Sequence, residues 1–172
     1  MKFEELINKN HQLKKIFNNV KKSYFNNEIK GISNNSKDVK KDYIFIAIKG
    51  YKFNGNDFIN EAINKGASIV ISSEIKKNVI KVKKNEIRLI YSLLCSSFYN
   101  KKPSHILAVT GTNGKTSIVE FCRQIWSLAG WKSASIGTLG TIITEEQFTD
   151  SKKNNLTTLE PLKLNKELES LN

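Results

Sequence analysis

Apolar residues fall along this chain in short β-type runs that alternate with stripes at helical spacing. Phe3, Leu6 and Ile7 begin a helical pattern, and Ile29 to Ile32 read as a short strand leading into the polar turn Ser33-Asn34-Asn35-Ser36. The run Tyr43-Ile44-Phe45-Ile46-Ala47-Ile48 is β-branched and aromatic and is closed by Gly50, the pattern of a buried strand. A helix is predicted from about Asp57, burying Phe58, Ile59, Ala62 and Ile63, with Gly66 where a left-handed C-terminal cap is wanted. Ile69-Val70-Ile71 returns as a strand. After a lysine-rich stretch containing Val79, Ile80 and Val82, a second long helix carries Ile87, Ile90, Leu94 and Phe98 on one face. Strands alternating with helices place residues 1–102 in a small α/β domain.

Asn100-Lys101-Lys102-Pro103-Ser104 reads as the domain boundary, because it is polar, holds a proline and separates a finished helix from a new strand. Beyond it, Ile106-Leu107-Ala108-Val109 is predicted as a buried strand running straight into Thr110-Gly111-Thr112-Asn113-Gly114-Lys115-Thr116. A helix follows with Ile118, Val119, Phe121, Cys122, Ile125 and Leu128 as its apolar stripe and Gly130 as its stop. Lys132 to Ile136 is expected as the next strand, parallel to the first across a right-handed crossover. A last helix carries Leu164, Leu168 and Leu171. The expected fold class is therefore α/β, with the N-terminal unit followed, over residues 103–172, by the start of a parallel-sheet ATPase-type central domain.

Charge alters this picture less than its size suggests. The 172 residues include 28 Lys and Arg against 16 Asp and Glu, a net charge of +12, which on its own points to a nucleic acid or an acidic membrane surface. Yet only Arg88 and Arg123 are arginines, the side chain that forks onto phosphates and guanine edges. The lysines are spread through the whole length among Asn and Ile, as AT-rich coding would leave them, and read as solvated surface. Cys95 and Cys122 lie inside helical patterns with no metal-ligand spacing to His11 or His105, so both are expected as buried free thiols in a reducing compartment. The start lacks the apolar core of a signal peptide, and no run is long enough to span a bilayer. A cytoplasmic monomer with no nucleic-acid partner is expected.

The chemistry lies in the glycine-rich turn. A strand, such a turn and a helix opening on Lys-Thr together bind nucleotide phosphates: the glycines let successive N–H groups point inward, and the helix N-terminus adds its positive end. Gly111, Thr112, Asn113, Gly114, Lys115, Thr116 and Ser117 are the candidate ATP-binding residues. Lys115 can reach the β- and γ-phosphates as the catalytic cation, and the Thr116 hydroxyl can ligate the Mg²⁺ that bridges them. Position 109 is Val and the first glycine is Gly111, so the loop is tighter than the commonest phosphate loop.

Gly111-Thr112-Asn113-Gly114-Lys115-Thr116 after a Val-Thr step resembles the loop of the Mur ligases and of the folylpolyglutamate synthases. Further upstream, Ser36-Lys37, then Asp42 through Gly50, then Asn54-Gly55-Asn56-Asp57-Phe58-Ile59 and Ala62 resemble the first domain of the MurE and MurF branches, which folylpolyglutamate synthases lack. Ile136-Gly137-Thr138-Leu139-Gly140 and Leu156-Thr157-Thr158 are more similar to the MurE branch. Where that family has Asp-Ser-Arg and Asn-Thr-Thr-Pro, this chain has Asn35-Ser36-Lys37 and Leu156-Thr157-Thr158-Leu159, replacing an arginine fork by a point charge and removing one polar side chain. The likeness spans nearly the whole chain.

The resemblance implies an ATP-dependent amide-bond ligase of peptidoglycan precursor synthesis. It would add meso-diaminopimelate or L-lysine to UDP-N-acetylmuramoyl-L-alanyl-D-glutamate through an acyl phosphate. Asn34, Ser36, Tyr51, Lys52 and Phe53 would hold the uridine diphosphate end, and Thr157 and Thr158 the muramyl-peptide. Taken by themselves, Ser36 reads as a turn hydroxyl, Tyr51 and Phe53 as surface aromatics, and the two threonines as a helix cap. Family members continue well past this length, so the 172 residues alone are expected to be an incomplete ligase without turnover. The alternatives are a folylpolyglutamate synthase-like or other phosphate-loop protein, or a basic nucleic-acid-binding module.

Overall fold

The computed structural model describes residues 1–143 and 158–172, in two compact units, Met1–Asn100 and Lys101–Asn172. The first unit contains α1 (Phe3–Asn8), α2 (His11–Ile16), β1 (Gly31–Ser33), β2 (Tyr43–Ala47), α3 (Ile59–Asn64), β3 (Ala67–Ser72), β4 (Ile80–Lys81) and α4 (Ile87–Phe98). Its four strands form one sheet in the order β1-β2-β3-β4, and every neighbouring pair is parallel. Chain order and sheet order coincide, so each crossover steps the chain one strand sideways. The segments that leave β1, β2 and β3 therefore emerge together at the carboxyl edge of the sheet, where open α/β folds bind ligands.

Strand alternation divides the core into two layers. Phe45 and Ala47 of β2 pack with Val39, Ile59, Ala62 and Val70 in one cluster, which covers the α3 side. Ile44, Ile46, Ile69 and Ile71, also fully buried, have the opposite pleat, and α4 makes its contacts with β1, α1 and α2. Phe3 of α1 meets Phe17 edge-on at 5.4 Å between ring centres. Local signals fix the helix ends: the Asn10 side chain caps α2 by accepting from Gln12 N and Leu13 N at 2.9 and 3.2 Å. Gly66, with φ of 94°, turns the chain after α3, as its cap position in the sequence requires.

Two details of this unit differ from the sequence reading. The helix after β2 begins only at Ile59, because Gly55–Phe58 forms a 3₁₀ turn whose entry is capped by the Asn54 side chain on Asn56 N. That phase leaves Ile63 exposed instead of buried. The lysine-rich stretch contributes β4, a strand of two residues, in which Ile80 pairs with Ile71 and is buried while Lys81 faces out. So short an edge strand leaves almost no periodicity to detect.

The second unit contains α5 (Lys115–Leu128), β5 (Ala134–Gly137), β6 (Gly140–Ile143) and α6 (Pro161–Ser170). Here the strand expectations need correction. Residues 106–109 join no ladder, and Ile106 and Leu107 are exposed. β5 pairs antiparallel with β6 through the turn at Thr138 and Leu139, with Gly137 opposite Gly140, instead of lying parallel to 106–109. A hairpin closes a loop of two residues, whereas the expected crossover must close one of more than twenty, so local pairing carries the smaller entropic cost. The apolar stripe of α5 is present but uncovered: none of the helix's residues is buried. At α6 the cap is Glu160 with Pro161 in the first turn; Thr158 stands two residues before it, and Thr157 lies outside the described residues. Among the described residues no helix is long and apolar enough to cross a membrane.

Candidate functional site

The glycine-rich turn is built by one strained position and one helix end. Gly114 has φ 76° and ψ −4°, a left-handed conformation that reverses the chain directly into α5. Ile118 N donates to Gly114 O at 2.9 Å, so the amides of Lys115, Thr116 and Ser117 come before the helical ladder begins. They add donors and the positive helix end to an anion-binding turn. Lys115 Nζ curls over the loop and donates to Gly111 O at 2.6 Å and Thr112 O at 3.1 Å. Its ammonium thus sits over the turn into which a phosphate would fit.

Beside the turn is a cavity of about 240 Å³ lined by Gly111, Lys115, Thr116, Glu120, Thr138 and Thr158, with Val109, Ile136 and Ile142 as apolar walls. Of the predicted loop residues it brings together Gly111, Lys115 and Thr116, while Thr112, Asn113, Gly114 and Ser117 are not among its lining. Thr116 Oγ1 lies 3.3 Å from Thr138 Oγ1 on the turn of the β5–β6 hairpin. One helical turn beyond Thr116, Glu120 accepts from Arg123 Nε through both carboxylate oxygens, at 3.0 and 2.9 Å, and pairs with Arg123 Nη2 as well. Gln124 Nε2 and Ser135 Oγ also donate to it, at 3.2 Å each. The Arg123 guanidinium, helped by those donors against partial burial, holds the Glu120 carboxyl down at about 2.

The residues fit a magnesium ion only in company with phosphate. Among the described residues no group of three or more His, Cys, Asp or Glu could hold a metal, and Glu120 is committed to Arg123. With no such carboxylate cluster, a cation at the Thr116 hydroxyl would take most of its ligands from nucleotide phosphates and water, the usual habit of Mg²⁺.

In the first unit, the predicted residues sit at the carboxyl edge of the sheet. Ser36 is buried in a 3₁₀ turn after β1; its hydroxyl donates to Glu61 Oε2 at 2.8 Å, and its carbonyl accepts from Lys65 Nζ at 3.1 Å. Lys65 also pairs with Glu61, and these two donors, lysine first, hold the Glu61 carboxyl below its usual range. Asn34 stands half-buried just ahead of that turn. Tyr51, Lys52 and Phe53 form the exposed tip of the loop after β2, with Phe53 edge-on to Phe58 at 6.4 Å. The loop is pinned from outside, since Arg88 Nη2 on α4 donates to Lys49 O at 3.1 Å.

Sequence reasoning missed the network behind this edge. Ser72, at the end of β3, donates to Asn56 Oδ1 at 2.6 Å, and Asn56 Nδ2 donates to Glu74 Oε1 at 2.8 Å. Glu74 N in turn donates to Ser72 Oγ at 2.9 Å, and Lys76 Nζ to Asn56 O at 2.9 Å. The one available signal is a serine closing an apolar strand two residues before an acid, which reads as a side-chain turn. Glu120 was missed because it carries no motif of its own, and Thr138, although it lies in the motif of residues 136–140, was given no role.

Two family descriptions match the sequence: "Mur ligase family, catalytic domain" over residues 28–96 and "Mur ligase middle domain" over residues 109–172. The chain is 44% identical over 128 residues to a UDP-N-acetylmuramoyl-L-alanyl-D-glutamate--2,6-diaminopimelate ligase of Rickettsia felis, covering 73% of this chain and 24% of that protein. It is 38% identical over 167 residues to such a ligase of Clostridium acetobutylicum, covering 90% of this chain and 34% of that one. A solved structure of a ligase with the same name superposes with a TM-score of 0.69 at 27% identity, over 92% of this chain and 32% of the other. A MurF ligase of Thermotoga maritima, solved in complex with ADP, shares the fold with a TM-score of 0.51 at 22% identity, over 81% of this chain and 29% of that one. The chain thus spans from 24% to 34% of the length of these curated relatives.

Proposed function

Since this chain belongs to the Mur ligase family, we propose that it supplies the UDP-sugar-binding and phosphate-loop portions of an ATP-dependent ligase of peptidoglycan precursor synthesis. The reaction is the joining of 2,6-diaminopimelate to UDP-N-acetylmuramoyl-L-alanyl-D-glutamate, the activity in the names of its relatives. The observation that carries this reading is the head of α5, where a left-handed Gly114 and three leading amides open the helix and Lys115 and Thr116 line one cavity beside it.

A carboxylate resists attack by an amine because its charge and resonance oppose the nucleophile. Transfer of the γ-phosphoryl group of ATP to the carboxylate oxygen breaks the bond to ADP and creates an acyl phosphate. The incoming amine then forms the C–N bond, inorganic phosphate leaves, and the nitrogen loses a proton. The anionic reactants repel, so the first step needs cationic help at the transferred group. Lys115 gives it by leaving the carbonyls of Gly111 and Thr112 for the β- and γ-phosphates. Gly111, Thr112, Asn113, Gly114, Thr116 and Ser117 hold those phosphates through the backbone turn. The Thr116 hydroxyl, together with phosphate oxygens, would hold magnesium, which would supply additional charge neutralisation.

Residues 1–102 take the uridine diphosphate end at the carboxyl edge of the parallel sheet, with Asn34, Ser36, Tyr51, Lys52 and Phe53 as lining. Because the Ser36 hydroxyl is given to Glu61, Ser36 acts there as an acceptor or through its backbone. Thr157 and Thr158 approach the muramyl-peptide. The protein works in the cytoplasm, where both ATP and the nucleotide-linked precursor are found.

Calorimetric titration tests this division of labour. The chain is expected to bind ADP with Mg²⁺ and, independently, UDP-N-acetylmuramoyl-L-alanyl-D-glutamate. Lys115→Ala should abolish the first and leave the second. Loss of the muramyl-dipeptide with retained ADP binding would contradict the assignment, and so would binding of neither by the unaltered chain.

A further inference from the structure

We propose that Thr138 is a positioning residue for the phosphate loop: its hydroxyl oxygen accepts a hydrogen bond from the Thr116 hydroxyl and so turns the Thr116 lone pairs toward the cation that arrives with the nucleotide. The inference rests on the phosphate-loop reading above and extends it to a residue on a different element.

A threonine hydroxyl has one proton and two lone pairs. When its oxygen ligates a cation, one lone pair is used and the proton becomes more acidic, so a defined acceptor fixes the direction of the remaining electrons. Outer partners of this kind orient metal ligands generally. The structure places the Thr116 hydroxyl 3.3 Å from Thr138 Oγ1 across the cavity, a contact in which either oxygen can donate. The carbonyl of Thr112, in the loop ahead of the helix, is already taken by Lys115 Nζ at 3.1 Å.

The position of Thr138 is built, because the hairpin that carries it is tied to α5 twice. Ser135 Oγ donates to Glu120 Oε2 at 3.2 Å, and Ser133 Oγ donates to Arg123 O at 2.8 Å. Glu120 stands one turn beyond Thr116 on the same helix and lines the same cavity. These bonds hold β5 against the helix and bring the Thr138–Leu139 turn to the loop. The Arg123 pair keeps the Glu120 end of this brace charged.

Thr138→Val removes the hydroxyl and keeps the shape and the β-branch suited to a hairpin. Titration of ADP into the 172-residue chain, with Mg²⁺ and then with excess chelator, reads the effect. The expected result is that Thr138→Val weakens Mg²⁺–ADP binding roughly tenfold, leaves metal-free ADP binding unchanged, and that Thr138→Ser restores the wild-type value. An unchanged Mg²⁺ increment in Thr138→Val would mean that the Thr116 proton goes to the backbone, and would overturn the proposal. Equal weakening with and without metal, or failure of Thr138→Ser to recover, would reduce Thr138 to a structural turn residue and overturn it as well. If the unaltered chain binds ADP under neither condition, the phosphate-loop reading itself falls, a result distinct from the other two.

Discussion

The two units were written in the same alphabet of apolar stripes, yet they meet different fates. In the first, the strand run from Tyr43 and the helices on either side of the sheet bury Phe45, Ile44, Ile46 and Ile59 almost completely. In the second, a helix of 14 residues with an equally regular stripe leaves Phe121 61%, Ile125 62% and Leu128 89% exposed. An amphipathic pattern therefore states a demand for a partner surface; whether the demand is met depends on elements elsewhere in the chain. What the second unit does complete is its polar end, where the glycine-rich loop is closed by Gly114 and the hairpin beside it is braced through Glu120. That local construction needs only neighbours in sequence and one hairpin.

The largest effect should come from cutting into the completed core. Phe45→Ala removes a fully buried ring from the cluster of Val39, Ile59, Ala62 and Val70, and is expected to lower unfolding free energy by about 3–5 kcal/mol. Phe121→Ala on α5 should change it by about 0.5 kcal/mol or less. Urea unfolding reads the first by circular dichroism and the second by the fluorescence of Trp126 and Trp131. A loss at Phe121 as large as that at Phe45 would mean that the stripe is covered in solution, and the contrast between the units would dissolve.

Next in size is Gly114→Ala. No atom lies within 4 Å of an added Cβ, so the only obstacle is the left-handed backbone at φ 76°. That conformation costs a residue with a side chain about 1–2 kcal/mol. The substitution should lower the fluorescence-detected midpoint and weaken Mg²⁺–ADP binding together. Unaltered nucleotide affinity would show that the loop's function tolerates a different turn.

Legibility in the sequence follows the same division. The strands at Tyr43 and Ala67, α4, the turn at Gly66 and the glycine-rich turn that opens α5 could be read because each rests on local preference beside an apolar pattern. β4 could not, since two residues carry no period. The strand expected at 106–109 failed for the opposite reason: its apolar run was clear, but a strand exists only with a ladder partner, and the next strand took β6 instead. Among site residues, glycine spacing marked Lys115 and Thr116. Glu120, Thr138, Asn56 and Ser72 act through partners far off in sequence, as in Ser135–Glu120 or Ser72–Asn56, and no spacing rule reaches them.

A smaller effect is expected at the edge of the first unit. Ser36→Ala deletes one of the two donors to Glu61 while leaving Lys65 in place, so stability should fall by about 1 kcal/mol. The Glu61 carboxyl should also rise toward its ordinary range, visible in an NMR titration of the side chain. If UDP-muramyl-dipeptide affinity falls while stability does not, Ser36 serves the ligand more than the fold. That outcome would sharpen the difference between an edge built for binding and a core built for packing.

The smallest effect concerns the brace in the second unit, and its sign is fixed by titration. Glu120 titrates at about 2 in the fold against 4.5 ordinarily, because Arg123 and its other donors favour the carboxylate. A depressed carboxyl contributes stability that is complete above its unfolded value and is lost as pH falls through the folded one. Replacing it by Glu120→Gln should therefore cost about 1 kcal/mol or less near neutrality, since the pair is only partly shielded from water. The gap between the two proteins should hold down to about pH 5 and close between pH 4.5 and 2. Denaturant midpoints taken by tryptophan fluorescence across that range would measure it. Equal midpoints for the two proteins at every pH would mean that the Glu120 brace works through hydrogen-bond geometry, which the amide can imitate, and not through charge. In that event the hairpin carrying Thr138 would stay in register in Glu120→Gln at neutral pH, and Mg²⁺–ADP affinity should match the unaltered chain.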